Sequence, residues 1–190
     1  MIKDLIKKNR SYRRFKAEKE ISEELLIELI ELARFSSSAA NRQVIRFFPI
    51  NDPVMKNDVF SCLRWAGYLN YWDGPEEKER PSAYIIFLTE ETTGNSLYID
   101  VGIYAQAILL GAVEMKLGGC MFGSIKREEL KEKLHIPDKF QIPLIIALGI
   151  PDETVVIEDT SDDIKYWRDE NNVHHVPKRV LEDLLFYPEK

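Results

Sequence analysis

The densest group of cations in the chain is Asn9-Arg10-Ser11-Tyr12-Arg13-Arg14-Phe15. Arginine forks match phosphate oxygens in pairs, and a small hydroxyl between Arg10 and Arg13 suits another anionic oxygen. The plain alternative is a solvated basic loop. Pro177-Lys178-Arg179 is the only other compact basic group with apolar flanks. Between them, Ser36-Ser37-Ser38-Ala39-Ala40-Asn41-Arg42-Gln43 offers small residues for close backbone approach. Its Asn41 and Gln43 carry both donors and acceptors. That combination fits the edge of a flat heterocycle, and it equally describes a polar helix-to-strand loop. Arg64 to Pro75 contains Trp65, Tyr68, Tyr71 and Trp72. Such a segment reads either as a loop covering a ligand or as a peripheral helix pinned by Trp65 and Tyr68.

The remaining reactive side chains suggest less. Cys62 and Cys120 are far apart and form no CxxC pair, so neither a disulfide framework nor a structural zinc site is expected. Cys120 reads as a small buried hydrophobe rather than a nucleophile. His135, His174 and His175 lack metal-ligand spacing and read as structural or exposed, and no metal is expected.

The elements that must hold these residues are clearer. Ser22 is a good N-cap, and Leu25, Leu26, Leu29, Ile30 and Ala33 follow at helical spacing, so a helix is expected to end near Phe35. Val44–Ile50, Ala83–Thr89 and Ile142–Ile150 read as strands, the last two as buried ones. Short helices are expected over residues 2–9, from Asp52-Pro53 to Leu63, and from Lys126 to Leu134. The centre of the chain is Leu97–Leu117, whose stretch VGIYAQAILLGAV has no formal charge. Apolar side chains point almost everywhere around it, so it reads as a helix buried on all sides and covered in part by a second copy of the chain. The run falls short of the ~20 apolar residues of a membrane span. A turn at Gly118–Gly123 follows it. Beyond Asp152 the chain reads as an acidic, irregular arm that lies on a partner subunit.

The 190 residues fit one domain, with 45% hydrophobic and 31% charged residues as in ordinary globular proteins. A net charge of −6 and the lack of a basic stripe argue against nucleic-acid binding. The N-terminal residues hold too short an apolar run for a signal peptide, and a cytoplasmic protein is expected.

The order of these segments is more specific than any one of them. Arg-Ser-x-Arg, Ser-Ala-Ala-Asn-Arg-Gln, the apolar helix, Leu-Gly-Gly-Cys-Met-Phe-Gly, Ile-Ala-Leu-Gly-Ile-Pro and a late Lys-Arg succeed one another. This succession resembles the FMN-dependent nitroreductase family over nearly the whole chain. The resemblance implies an α+β fold: a three-layer α/β/α sandwich with a mainly antiparallel central sheet. It implies a single domain over 1–190, with 152–190 as the C-terminal arm, and a homodimer with FMN at the subunit interface. The cofactor-binding residues implied are Arg10, Ser11, Arg13, Ser37, Ser38, Asn41, Gln43, Met121, Phe122, Gly123, Lys178 and Arg179. Trp65, Tyr68, Tyr71 and Trp72 are the residues expected to form a substrate lid. The activity implied is ping-pong transfer from NAD(P)H through flavin N5 to a nitroaromatic, quinone or similar acceptor. Reductive dehalogenation, or a flavin sensor or carrier, is the alternative. Three departures from the family pattern, at four positions, stand out: Ser37 in place of Pro, Val44-Ile45 in place of Pro-Trp, and Val180 in place of Pro.

Overall fold

The computed structural model describes residues 1–90 and 95–188; the last two residues of the expected arm lie outside them. Strand β2 (Ala83–Leu88) is buried along its whole length, as its apolar run requires, and forms the middle of a sheet. β1 (Arg46–Ile50), β2, β4 (Ile145–Gly149) and β3 (Gly118–Phe122) lie in the order β1-β2-β4-β3, and every neighbouring pair is antiparallel. Successive side chains point to opposite faces. Ile85, Phe87, Ile146 and Leu148 therefore join one core, and Tyr84, Ile86, Ile145 and Ala147 join the other.

Helices cover both faces, which makes an α+β three-layer sandwich. On the first face, α2 (Glu23–Arg34) buries Leu26, Leu29 and Ala33, while Ser22 caps its start by accepting from the Leu25 amide at 3.3 Å. It packs against α4 (Asn95–Glu114), the long central helix. On the second face lie α3 (Pro53–Ser61) and α5 (Arg127–Lys133). Asp52 caps α3 with two 2.9 Å bonds to backbone amides, and Pro53 fills its first turn without losing a hydrogen bond. The N-terminal α1 (Ile2–Lys8) packs on α4.

Three expectations change. First, α4 is buried on one side only: Leu97, Val101, Tyr104, Ala105, Ile108 and Ala112 are covered, whereas Tyr98 (64%), Ile99 (58%) and Ile103 (37%) remain exposed in a single chain. By length and hydropathy it also resembles a membrane span, but half of it lies inside the sandwich. Second, the expected turn is strand β3. Chain reversal occurs earlier, at Lys116 in the left-handed region (φ 62°), where Leu117 N bonds back to Ala112 O at 2.7 Å. Gly119 serves close approach: a Cβ there would lie 2.6 Å from both Ala147 O and Leu109 Cδ2. Third, the arm is ordered. β5 (Val155–Thr160), β7 (His174–Arg179) and β6 (Trp167–Arg168) form a second sheet, parallel between β5 and β7, which folds back on the N-terminal cations of its own chain.

Candidate anion- and cofactor-binding site

The site begins where the N-terminal loop crosses the edge of the sheet. Ser11 bridges to Gly119 of β3, and the Tyr12 amide donates to Gly119 O at 3.0 Å. Arg10 and Arg13 are thus fixed on either side of this bridge. From the arm, strand alternation sends His174, Val176 and Lys178 to the same side. Gln106 and Leu109 of α4 and Met121 of β3 complete a cavity of about 320 Å³, with Asn9 and Tyr166 at its walls. Three cations line it, and no carboxylate stands among its described lining residues.

Arg13 is the most constrained of the three. It is 9% exposed, and its guanidinium lies 4.7 Å from the centre of the Tyr166 ring. Its Nη1 donates to Ser11 O at 3.4 Å and lies 3.1 Å from His174 Nε2. Glu153, in the lead into β5, accepts from the backbone amides of Arg13 and Arg14. Its other oxygen accepts from Arg168 at 3.0 Å in a buried ion pair. Arg168 in turn sits over the Trp72 ring, 4.2 Å from its centre. Burial lowers the pKa of both Arg10 and Arg168, yet arginine begins so high that both remain charged. The Arg10 Nε is buried with no hydrogen-bond partner among the described residues. His174 is 1% exposed, and burial, followed by Arg13, pushes its pKa down to about 4.

Of the residues expected in one site, the cavity unites Arg10, Ser11, Arg13, Met121 and Lys178. Arg179 points to the other side of β7 and is exposed. Phe122 faces the second core, edge-on to Trp65 at 4.6 Å. The Gly123 carbonyl accepts from Arg127 at 3.0 Å.

Ser37, Ser38, Asn41 and Gln43 belong to a separate place, toward the start of α4. The buried Asp100 accepts from Ser38 Oγ at 2.8 Å and from the Ala39 amide at 2.9 Å. Gln43 bonds Asn41 through its side chain, at 3.1 and 3.2 Å. Ala40, Asn41 and Gln43 all adopt positive φ, between 49° and 55°, a strain that persists only where surrounding contacts enforce it. Asp100 and the cavity residues Gln106 and Leu109 are separated by roughly 9–14 Å along the helix axis.

The aromatic segment is neither a helix nor a wall of the cationic cavity. Trp65 is buried against Phe60, Trp72 and Phe122, and lines a second space of about 620 Å³ with Leu69, Trp72 and Lys126. Tyr71 is exposed. Tyr68 reaches toward the cavity, with its ring 4.9 Å from Tyr166, and Trp72 carries Arg168 and Arg14 over its ring at 4.2 and 5.8 Å.

Sequence reading missed Asp100, Glu153, Tyr166, Arg168 and His174. Asp100 left one signal, as the lone acid at the head of an uncharged helical run; the others left none, because only the return of the arm gives them neighbours. Cys120 is buried with its thiol pKa raised by that burial, in keeping with a packing role.

Comparisons with known proteins agree with this architecture. The chain is 26% identical over 172 residues to an iodotyrosine deiodinase of Thermotoga neapolitana, covering 80% of this chain and 90% of that protein. An FMN-dependent nitroreductase from Clostridium difficile R20291 superposes over 100% of both chains with a TM-score of 0.69 at 20% identity. An NADPH:FMN oxidoreductase from Vibrio harveyi, complexed with NAD+, covers 79% of this chain and 68% of its own, with a TM-score of 0.60 at 23% identity. The family model described as the nitroreductase family matches residues 6–150, which hold the whole sandwich and the Arg10–Arg13 loop, and the chain belongs to that family.

Proposed function

We propose that the chain is an FMN-dependent oxidoreductase that draws on NAD(P)H and reduces a nitroaromatic, a quinone or a similar conjugated acceptor. The observation that carries this reading is the convergence of Arg10, Arg13 and Lys178 on a cavity lined by no described carboxylate, in a protein whose net charge is −6. Concentrating cations against the overall charge is costly unless an anion resides there. A phosphate ester attached to a partly apolar body fits Arg10 and Lys178 at one part and Leu109, Met121 and Val176 at another. The buried Arg10 Nε, which has no hydrogen-bond partner among the described residues, supports the same fit.

In this reading Arg10 and Lys178 neutralise the phosphate, and Ser11 offers a hydroxyl to the phosphate or the ribityl chain. Arg13 lies where a cation favours negative charge on the ring system. Bound FMN supplies the hydride-accepting and hydride-donating centre, which no side chain of this chain provides. The loop of Ser37, Ser38, Asn41 and Gln43 comes to the cavity from a second copy, because within one chain the two lie at different levels of α4. The exposed face of Tyr98, Ile99 and Ile103 lies along α4 where that copy would cross. Trp65 and Tyr71 lie apart from the cations, so of the aromatic lid Tyr68, beside Tyr166, and Trp72, under Arg168 and Arg14, remain next to the site.

Reductive dehalogenation is the second reading, favoured by the similarity to an iodotyrosine deiodinase. The deciding experiment uses protein reconstituted with FMN. Bound flavin should bleach with NADH or NADPH without air and regain its colour with a nitroaromatic or a quinone. Recovery with a halogenated tyrosine alone would favour dehalogenation, and bleached flavin that no acceptor reoxidises would favour a carrier. Protein that retains no FMN would overturn the flavin reading itself.

A further inference from the structure

His174 lies in the cavity, but neither the sequence motifs nor the roles above use it. Its Nε2 lies 3.1 Å from Arg13 Nη1. A guanidinium can only donate, so the lone pair of Nε2 must face it and the imidazole proton must sit on Nδ1. That Nδ1 is buried and has no partner among the described residues. A histidine kept only for packing would be a poor choice here, since an apolar ring fills the same space without an orphan donor. We propose that His174 is a positioning residue: by accepting from Arg13 it fixes the guanidinium against the cavity, and so sets how strongly reduction of the bound cofactor is favoured. This rests on the flavin reading above.

The choice of acceptor matters chemically. A carboxylate in this position would hold Arg13 but cancel its charge. The nearby carboxylate of Glu153 is already engaged by Arg168 and by two backbone amides. A neutral imidazole orients the fork and leaves its charge available to a ligand. The surroundings keep the ring neutral. It is flanked by Arg13 from the N-terminal loop, Arg168 from β6 and the Tyr166 ring at 5.2 Å, with Lys178 further along the same face of its strand and His175 on the opposite face. Burial first, then Arg13, Arg168 and His175, place its pKa at about 4. Tyr166 bears on Arg13 and His174 together, so the imidazole and the guanidinium share one support.

The test compares midpoint potentials of FMN-saturated wild type, His174→Phe, His174→Gln, Arg13→Ala and the His174→Phe/Arg13→Ala double variant. Removing the acceptor should lower the reduced-to-oxidised binding ratio about tenfold, a fall of roughly 30 mV for a two-electron couple. Gln, which keeps an acceptor, should recover most of the shift. In the Arg13→Ala background, His174→Phe should add nothing, because it acts through Arg13. An unshifted potential in His174→Phe, or an equal further drop in the Arg13→Ala background, would overturn the inference. If His174→Phe fails to fold, nitrogen-15 spectra of the wild-type imidazole decide. The Nδ1–H form at neutral pH is expected, whereas the Nε2–H or doubly protonated form refutes the contact. Failure of wild type to take up FMN condemns the flavin reading, whereas uptake with no potential shift condemns this inference alone.

Discussion

His174 and His175 are adjacent on β7 and point to opposite faces, and their environments differ accordingly. His175 Nδ1 lies 2.5 Å from Glu158, its Nε2 is 3.5 Å from Asp169, and its ring stacks on Trp167 at 4.0 Å. The Glu158 hydrogen bond, more than any other contact, raises its pKa. Its contribution to stability is full below the unfolded value and is lost as pH rises through the folded one. His174 has the reverse dependence. With a folded pKa of about 4 against 6.5 unfolded, the unfolded chain binds more protons between those values, so stability falls as pH falls through that window. At 1.36 kcal/mol per unit the loss reaches ~2–3 kcal/mol near pH 4.5. His174→Gln should therefore flatten the acid limb when urea unfolding is compared at pH 7 and 4.5. A variant that loses as much stability as wild type would show that His174 titrates normally in the folded chain.

Among the elements, the arm was the least legible. VVIEDT and HHVPKR lack the long apolar runs that mark interior strands, and their parallel pairing joins Val155 to His174 and Thr160 to Arg179. Such a pairing is decided by distant chain meeting distant chain, not by local pattern. Glu153 anchors it, because its carboxylate ties Arg168 to the Arg13-Arg14 backbone. Glu153→Ala would leave Arg168 buried without its partner and two amides without an acceptor. A cost of about 3–5 kcal/mol is expected, together with release of the arm and faster amide exchange in β7. A change under 1 kcal/mol in denaturant unfolding would mean that the arm is held elsewhere. Strand β3 was misread for another reason. Paired glycines suggest a turn, but Gly119 is needed because Leu109 of α4 and the Ala147 carbonyl approach so closely. A glycine needed for lack of space and one needed for positive φ are identical in sequence.

At the scale of the molecule, one chain leaves too much apolar surface open. Tyr98, Ile99 and Ile103 on α4 are joined by Leu181, Leu184, Phe186 and Tyr187 beyond β7, all exposed. Apolar patches left open in a single chain in this way mark an interface. A dimer burying more than ~2,000 Å² is expected, as for obligate pairs. Sedimentation at micromolar concentration should show two copies, and Ile99→Arg with Ile103→Arg should yield monomers that lose FMN. A folded wild-type monomer, or a monomeric double variant still saturated with FMN, would separate the flavin site from the interface.

The sequence alone determined the main elements of this protein, and the resemblance they carry implied their layers. Two apolar strand runs, a capped amphipathic helix and an uncharged central helix are legible because period and hydrophobicity act locally and almost every residue in them obeys the same pattern. It also marked the chemistry of the cations, since Arg10, Ser11, Arg13 and Lys178 lie on one cavity. Only the tertiary structure decided the rest: that Phe122 turns into the core while Met121 faces the cavity, that Arg179 turns away from Lys178, and that Asp100 holds the Ser38 loop apart from the cations. The pairing of Arg13 with His174 spans 161 positions. No local propensity encodes such a contact; it exists because packing the arm against the sheet edge leaves the buried guanidinium in need of an uncharged acceptor.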